Sequence, residues 1–98
     1  MPRRYPPLTP EEVIAILLAR GFLLDRTTGS HAQYGGTIRG QFRRVTVDLH
    51  YRDLDEQMIK RLILQSGLTR EEFYGSTRGS AHKIGLRTDE YPVPIQIG

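Results

Sequence analysis

Residues 42–50, Phe42-Arg43-Arg44-Val45-Thr46-Val47-Asp48-Leu49-His50, decide the fold. Val45, Val47 and Leu49 alternate strictly with Arg44, Thr46, Asp48 and His50. A β-strand turns successive side chains to opposite faces, so this run predicts a strand with one buried and one wet face. Working upstream, Phe22-Leu23-Leu24-Asp25-Arg26 is a short strand candidate, and Thr27-Thr28-Gly29 supplies turn chemistry. Another strand is expected from about Ser30 to Tyr34. The stretch Gly35-Gly36-Thr37-Ile38-Arg39-Gly40 then reads as a flexible connection, with strand character only at Thr37-Ile38.

A sheet with one apolar face needs a cover, and two amphipathic helices supply it. Thr9-Pro10-Glu11-Glu12 is a helix start: Thr9 caps, Pro10 takes the first helical position and Glu12 closes a reciprocal capping box. Val13, Ile14, Ile16, Leu17 and Leu18 form its apolar stripe, and Gly21 stops it after Arg20. A second helix is expected from a cap at Asp53 with Glu56 as its partner. Its apolar face is Leu54, Met58, Ile59, Leu62 and Ile63, and Gly67 ends it. Thr69-Arg70-Glu71-Glu72 repeats the capping signature and predicts one more turn to about Phe73. The expected class is α+β, ordered helix, three antiparallel strands, helix, with both helices on one sheet face. This is the layout of a double-stranded RNA-binding-domain-like fold. The domain is expected over residues 1–75, followed by a tail over 76–98, where Val93, Ile95 and Ile97 could add an edge strand.

Composition narrows the function classes. A chain of 98 residues makes one domain with a modest core, and the absence of cysteine excludes disulfides, thiolate zinc sites and cysteine nucleophiles. The apolar stretch from Val13 to Ala19 is too short to span a bilayer, and Met1 to Pro7 lacks the pattern of a secretory signal. A cytoplasmic protein without a membrane role is the default expectation. The formal charge of +3 permits a nucleic-acid partner, the more so because only Lys60 and Lys83 are lysines. Arginine's planar fork suits phosphate better than an ammonium does.

Alternation gathers a set of polar residues on the open sheet face. His50, Asp48, Thr46 and Arg44 share the wet side of one strand; His31 and Gln33 join them if Ala32 and Tyr34 pack under the helices. His31 leaves a tight turn, and imidazole, with an unperturbed pKa of about 6.5, suits proton transfer near neutral pH. Metal-free RNA cleavage requires a proton taken from the 2′-hydroxyl, charge stabilised on a phosphorane, and a proton given to the leaving 5′-oxygen. One histidine can carry proton transfer, and backbone N–H groups of Gly29 and Ser30 or nearby arginines can meet the charge. Each residue also has a plainer reading: His31 and His50 as surface side chains, Arg43-Arg44 as a solvated pair, Asp48 as the balance of an arginine. A metal held by His31 and His50 lacks a well-spaced third ligand, so no metal or cofactor is expected.

The order of signals resembles a known family. A helix ending in Gly21-Phe22 leads to Gly29-Ser30-His31, then to Tyr34 on the same strand. A strand ending in Val47 to His50 and a helix ending in Ser66-Gly67-Leu68-Thr69 follow. This resembles the HicA mRNA interferase toxins over roughly Leu8 to Tyr74. The resemblance implies a double-stranded RNA-binding-domain-like fold, cleavage of mRNA without a metal, and neutralisation by a HicB-type antitoxin. It implies that His31 is catalytic and that His50 is the second family histidine. Gly29 and Ser30 are the expected supporting residues, with Arg43, Arg44 and Gln33 on RNA. The chain departs from the family pattern at Ala32, at Asp48 (usually proline) and in its extension beyond Gly75. Ala32 and Asp48 motivate an alternative, a non-catalytic RNA-binding or antitoxin-binding module of the same fold. A purely structural interaction protein is a further alternative.

Overall fold

The computed structural model describes residues 3–96. Helix α1 (Pro10–Ala19) starts as its sequence dictates: the Glu12 N–H donates to Thr9 Oγ1 at 3.1 Å, and the Thr9 N–H donates back to Glu12 Oε1 at 2.9 Å. Strands β1 (Leu23–Thr28), β2 (His31–Ile38) and β3 (Gln41–Asp48) form one antiparallel sheet in the order β1-β2-β3. Ala32, Tyr34, Val45 and Val47 are buried on one face, in one core cluster with Val13, Ile16, Leu17, Ile59 and Leu62. Helices α2 (Glu56–Ser66), α3 (Arg70–Tyr74) and α4 (Arg78–Lys83) complete the chain. The α+β layout of helix, three antiparallel strands and helices is that of a double-stranded RNA-binding-domain-like fold.

Strand β2 runs through Gly35 and Gly36, where the sequence suggests a flexible connection. These glycines serve close approach instead of flexibility. A Cβ on Gly35 would lie 2.8 Å from the Phe42 ring, and one on Gly36 would lie 2.8 Å from the Phe22 ring. Each glycine therefore seats an aromatic from elsewhere in the chain.

The second helix begins two residues later than expected. Asp55, not Asp53, is the cap, accepting the Met58 N–H at 3.0 Å. Leu54 is held out of the helix by a two-way backbone pairing with Leu8, at 2.7 and 3.3 Å, and its side chain enters the core. At the other end Gly67 has φ +75°, and a Cβ there would fall 2.6 Å from Arg43 Nε. We expect Gly67→Ala to lose about 1–2 kcal/mol from the left-handed backbone alone. The Arg43 clash adds to this, and urea denaturation is the measurement; an unchanged midpoint would show that Gly67 is not needed there.

Helix α4 lies in the segment expected as tail. Thr77 caps it by accepting the Ser80 N–H at 3.1 Å, the Ser80 hydroxyl donates to the Tyr74 carbonyl at 2.6 Å, and Ala81 is fully buried. Small side chains that read as loop composition here allow a short helix to pack closely. Val93 and Ile95 form no strand: the Val93 N–H makes a 2.8 Å bond to the Gly75 carbonyl, and Ile95 packs on the core. Ile97, also expected in that edge strand, lies outside the described residues.

Candidate functional site

Gly29, with φ +60°, and Ser30 form the turn between β1 and β2, so His31 opens β2. Its register partner across the sheet is Asp48, the last residue of β3. The turn is tied down by the Leu49 N–H, which donates to the Ser30 carbonyl at 2.7 Å. His31 Nε2 lies 3.4 Å from Asp48 Oδ2, and the histidine side chain is 56% exposed, so the ring is oriented on one edge and open on the other.

Asp48 gathers two donors on one oxygen and a histidine ring beside the other. The His50 N–H reaches Oδ1 at 2.9 Å, the Ser30 hydroxyl reaches the same oxygen at 3.1 Å, and the His31 ring faces Oδ2. The His50 N–H above all, helped by the Ser30 hydroxyl and the neighbouring imidazoles, holds the Asp48 carboxyl below its ordinary value against the opposing effect of desolvation. The expectation that Asp48 balances an arginine is corrected. Arg44 pairs with Asp25 at 2.5 Å and leaves Asp48 to the histidine.

The other expected site residues divide by face. Arg44 donates to Gln33 Oε1 at 3.0 Å, and its guanidinium lies 5.8 Å from the Phe42 ring centre, all on the open face. Arg43 lies on the opposite side, beside Gly67, with a buried Nε that has no hydrogen-bond partner among the described residues. Alternation alone separates Arg43 from Arg44, so the two do not form one patch. His50 follows the end of β3, exposed, with its ring edge-on to Tyr51 at 5.6 Å between centres.

Beside His31 and Asp48 is a cleft of about 270 Å³ between β3 and α2. Leu54, Met58 and Leu62 give it apolar walls, Tyr51 lines it as well, and Thr46, Arg61 and Gln65 add polar groups. Gln65 Oε1 accepts the Thr46 N–H at 3.0 Å, so α2 satisfies a backbone donor on the outer edge of the sheet. Arg61, one turn earlier on α2, makes no hydrogen bond or ion pair among the described residues and is exposed to the cleft. Arg61 and Gln65 were not among the residues read from the sequence. Their i, i+4 spacing beside the Met58–Leu62 stripe was a usable signal, because it sets two polar groups at the rim of a buried helix face.

Among the described residues no group of three or more His, Cys, Asp or Glu side chains is placed to hold a metal ion. No described helix is long and apolar enough to cross a membrane. Among curated protein sequences, none matches this chain. The family model described as HicA toxin of bacterial toxin-antitoxin matches residues 10–68, more than half of the chain. The match takes in α1, the whole sheet and α2, and therefore every residue lining the cleft. A helix, a three-stranded antiparallel sheet and a covering helix, continuous with that match, make this chain a member of the HicA toxin family of bacterial toxin–antitoxin systems.

Proposed function

We propose that this toxin is an endoribonuclease that cleaves mRNA in the cytoplasm without a metal, using His31 as its catalytic residue. A HicB-type antitoxin is its cognate partner and neutralises it by covering the cleft. The observation that supports this reading most is the pairing of His31 with Asp48 at a cleft that also holds Arg61, unpaired among the described residues.

The chemistry follows from those groups. Asp48 stays ionised and orients the ring with Nε2 toward Oδ2, leaving Nδ1 as the nitrogen that can accept a proton. That nitrogen takes the proton of the ribose 2′-hydroxyl as O2′ attacks the adjacent phosphorus. The P–O5′ bond then breaks, and the leaving oxygen takes the proton back from the imidazolium. Arg61 and the N–H groups of the Gly29–Ser30 turn meet the negative charge of the phosphorane. His50 supports the site by fixing Asp48 through its N–H. Arg44 and Gln33 carry the RNA strand across the open face; Arg43, on the other side, takes no part.

The products identify the mechanism. Purified protein is expected to cut single-stranded RNA in excess EDTA, leaving 2′,3′-cyclic phosphate and 5′-hydroxyl ends. A 2′-deoxy substitution at the cut position should block cleavage there. Products with 3′-hydroxyl ends, or activity that vanishes in EDTA, would overturn the proposal. Salt-sensitive RNA binding with no product at all would identify a binding module instead.

A further inference from the structure

We propose that the cleft between β3 and α2 seats one nucleobase beside the scissile phosphate, and that Gln65 reads its edge. A base with a carbonyl at that edge (uracil or guanine) is then favoured over one with an amine (cytosine or adenine). The inference rests on the reading of this chain as an RNA-cleaving toxin and names the feature of RNA that its cleft selects.

The polarity of Gln65 is set by its partner. The Thr46 N–H can only donate, so the Gln65 carboxamide oxygen is the atom that faces it, at 3.0 Å. The amide NH₂ is the half left over, and it has no partner among the described residues. Gln65 therefore turns its free donors to the cleft while its oxygen is engaged by the Thr46 N–H. A donor pairs with a base carbonyl and leaves an exocyclic amine unpaired, which makes the wrong base costly.

The rest of the cleft suits a flat apolar ring with a polar rim. Leu54, Met58 and Leu62 supply the walls, and Tyr51, 43% exposed, supplies an aromatic face on which a base can stack. Its volume of about 270 Å³ is that of a site for one ring system. Pockets for drug-sized ligands run from about 300 to 1,000 Å³. His31 and Asp48 line the same cleft, so the base bound there belongs to a nucleotide flanking the phosphate that O2′ attacks beside His31.

The test separates base reading from cleavage by using the His31→Ala protein, which binds without cutting. Short oligo-U and oligo-C differ at the edge in question and little in size. Oligo-U is expected to bind about tenfold more tightly. Gln65→Glu in the same protein keeps an acceptor for the Thr46 N–H and removes the donors, so the preference should invert toward oligo-C. The ratio is the readout, because the added charge weakens both RNAs alike. Tyr51→Ala should weaken both by about tenfold or more through lost stacking, leaving their ratio in place. Equal affinities for the two RNAs, or a ratio that Gln65→Glu leaves unchanged, would overturn the pocket. If the wild-type protein cuts RNA with no base preference, the pocket fails while the activity stands. If it cuts nothing but the uracil preference inverts as described, the activity fails and the pocket stands.

Discussion

His31→Ala should reduce RNA cleavage by about 10²–10⁴-fold, the usual contribution of a positioned acid–base group, and should abolish growth arrest on expression. The fold should be unaffected. The side chain is 56% exposed, and among the described residues its close polar contact is Asp48, so the stability change is expected within about 0.5 kcal/mol. Asp48→Asn keeps the shape of the side chain but removes the charge that orients the ring. It should cost about 10²-fold in rate while RNA binding is retained, because Asp48 acts through His31 and holds no phosphate. Rates measured on one defined RNA, with circular dichroism as the check on folding, decide the matter. Wild-type rates for His31→Ala would remove the catalytic assignment altogether.

The second large effect is on stability and is expected at Glu72. This carboxylate is 1% exposed, yet it joins three parts of the chain. Oε1 accepts the Thr69 N–H at 2.8 Å, closing the capping box of α3. Oε2 accepts the Gln96 N–H at 2.6 Å and pairs with the Arg39 guanidinium from the β2–β3 turn. Arg39 donates in turn to the Gly67 and Gln96 carbonyls at 2.9 and 3.0 Å. Glu72→Ala leaves a guanidinium and two backbone donors without their acceptor. Removing one member of a buried pair costs about 3–5 kcal/mol. The melting temperature should fall by more than about 10 °C. Glu71→Ala next door, with a half-exposed side chain, should change stability by less than about 0.5 kcal/mol.

Acid should act through the same carboxylate. Burial pushes Glu72 up, but the hydrogen bonds from Arg39, Thr69 and Gln96 outweigh it and hold the carboxyl below its ordinary 4.5. A group whose pKa is lower in the folded state contributes its full stabilisation above the ordinary value and loses it as pH falls through the folded one. The gap in melting temperature between wild type and Glu72→Ala should therefore be constant above about pH 5 and narrow below it. A gap that widens in acid would contradict this account of Glu72.

Much of the fold was legible because its signals are local. The capping boxes Thr9/Glu12 and Thr69/Glu72 join residues three apart, and both form as the sequence predicts. The alternation from Arg44 to Asp48 placed Val45 and Val47 inside without knowledge of any partner. The start of α2 was misread because the competing influence is distant. Asp53 and Asp55 are equally good caps in isolation, and the Leu8–Leu54 pairing excludes the first. The two glycines of β2 were misread for the same reason, since Phe22 and Phe42 arrive from other elements. Helix α4 was hidden by small residues, which carry little hydrophobic pattern and show their helical role only when packed.

The sequence by itself determined that His31 leaves a turn near the start of a strand, in an ordered set of signals resembling the HicA toxins, and that it faces away from the core if Ala32 and Tyr34 pack beneath the helices. Capping boxes, turns and strand alternation answer to contacts within about four residues, so they can be read along the chain. Only the tertiary structure decided what surrounds that histidine. The β2–β3 register sets Asp48 beside it while Arg44 pairs elsewhere, burial of the Ile59–Leu62 face brings Arg61 and Gln65 to the same cleft, and Arg43 is carried to the other side of the sheet. Register and helix docking are fixed by the joint burial of side chains far apart in sequence, and no single stretch of the chain contains that information.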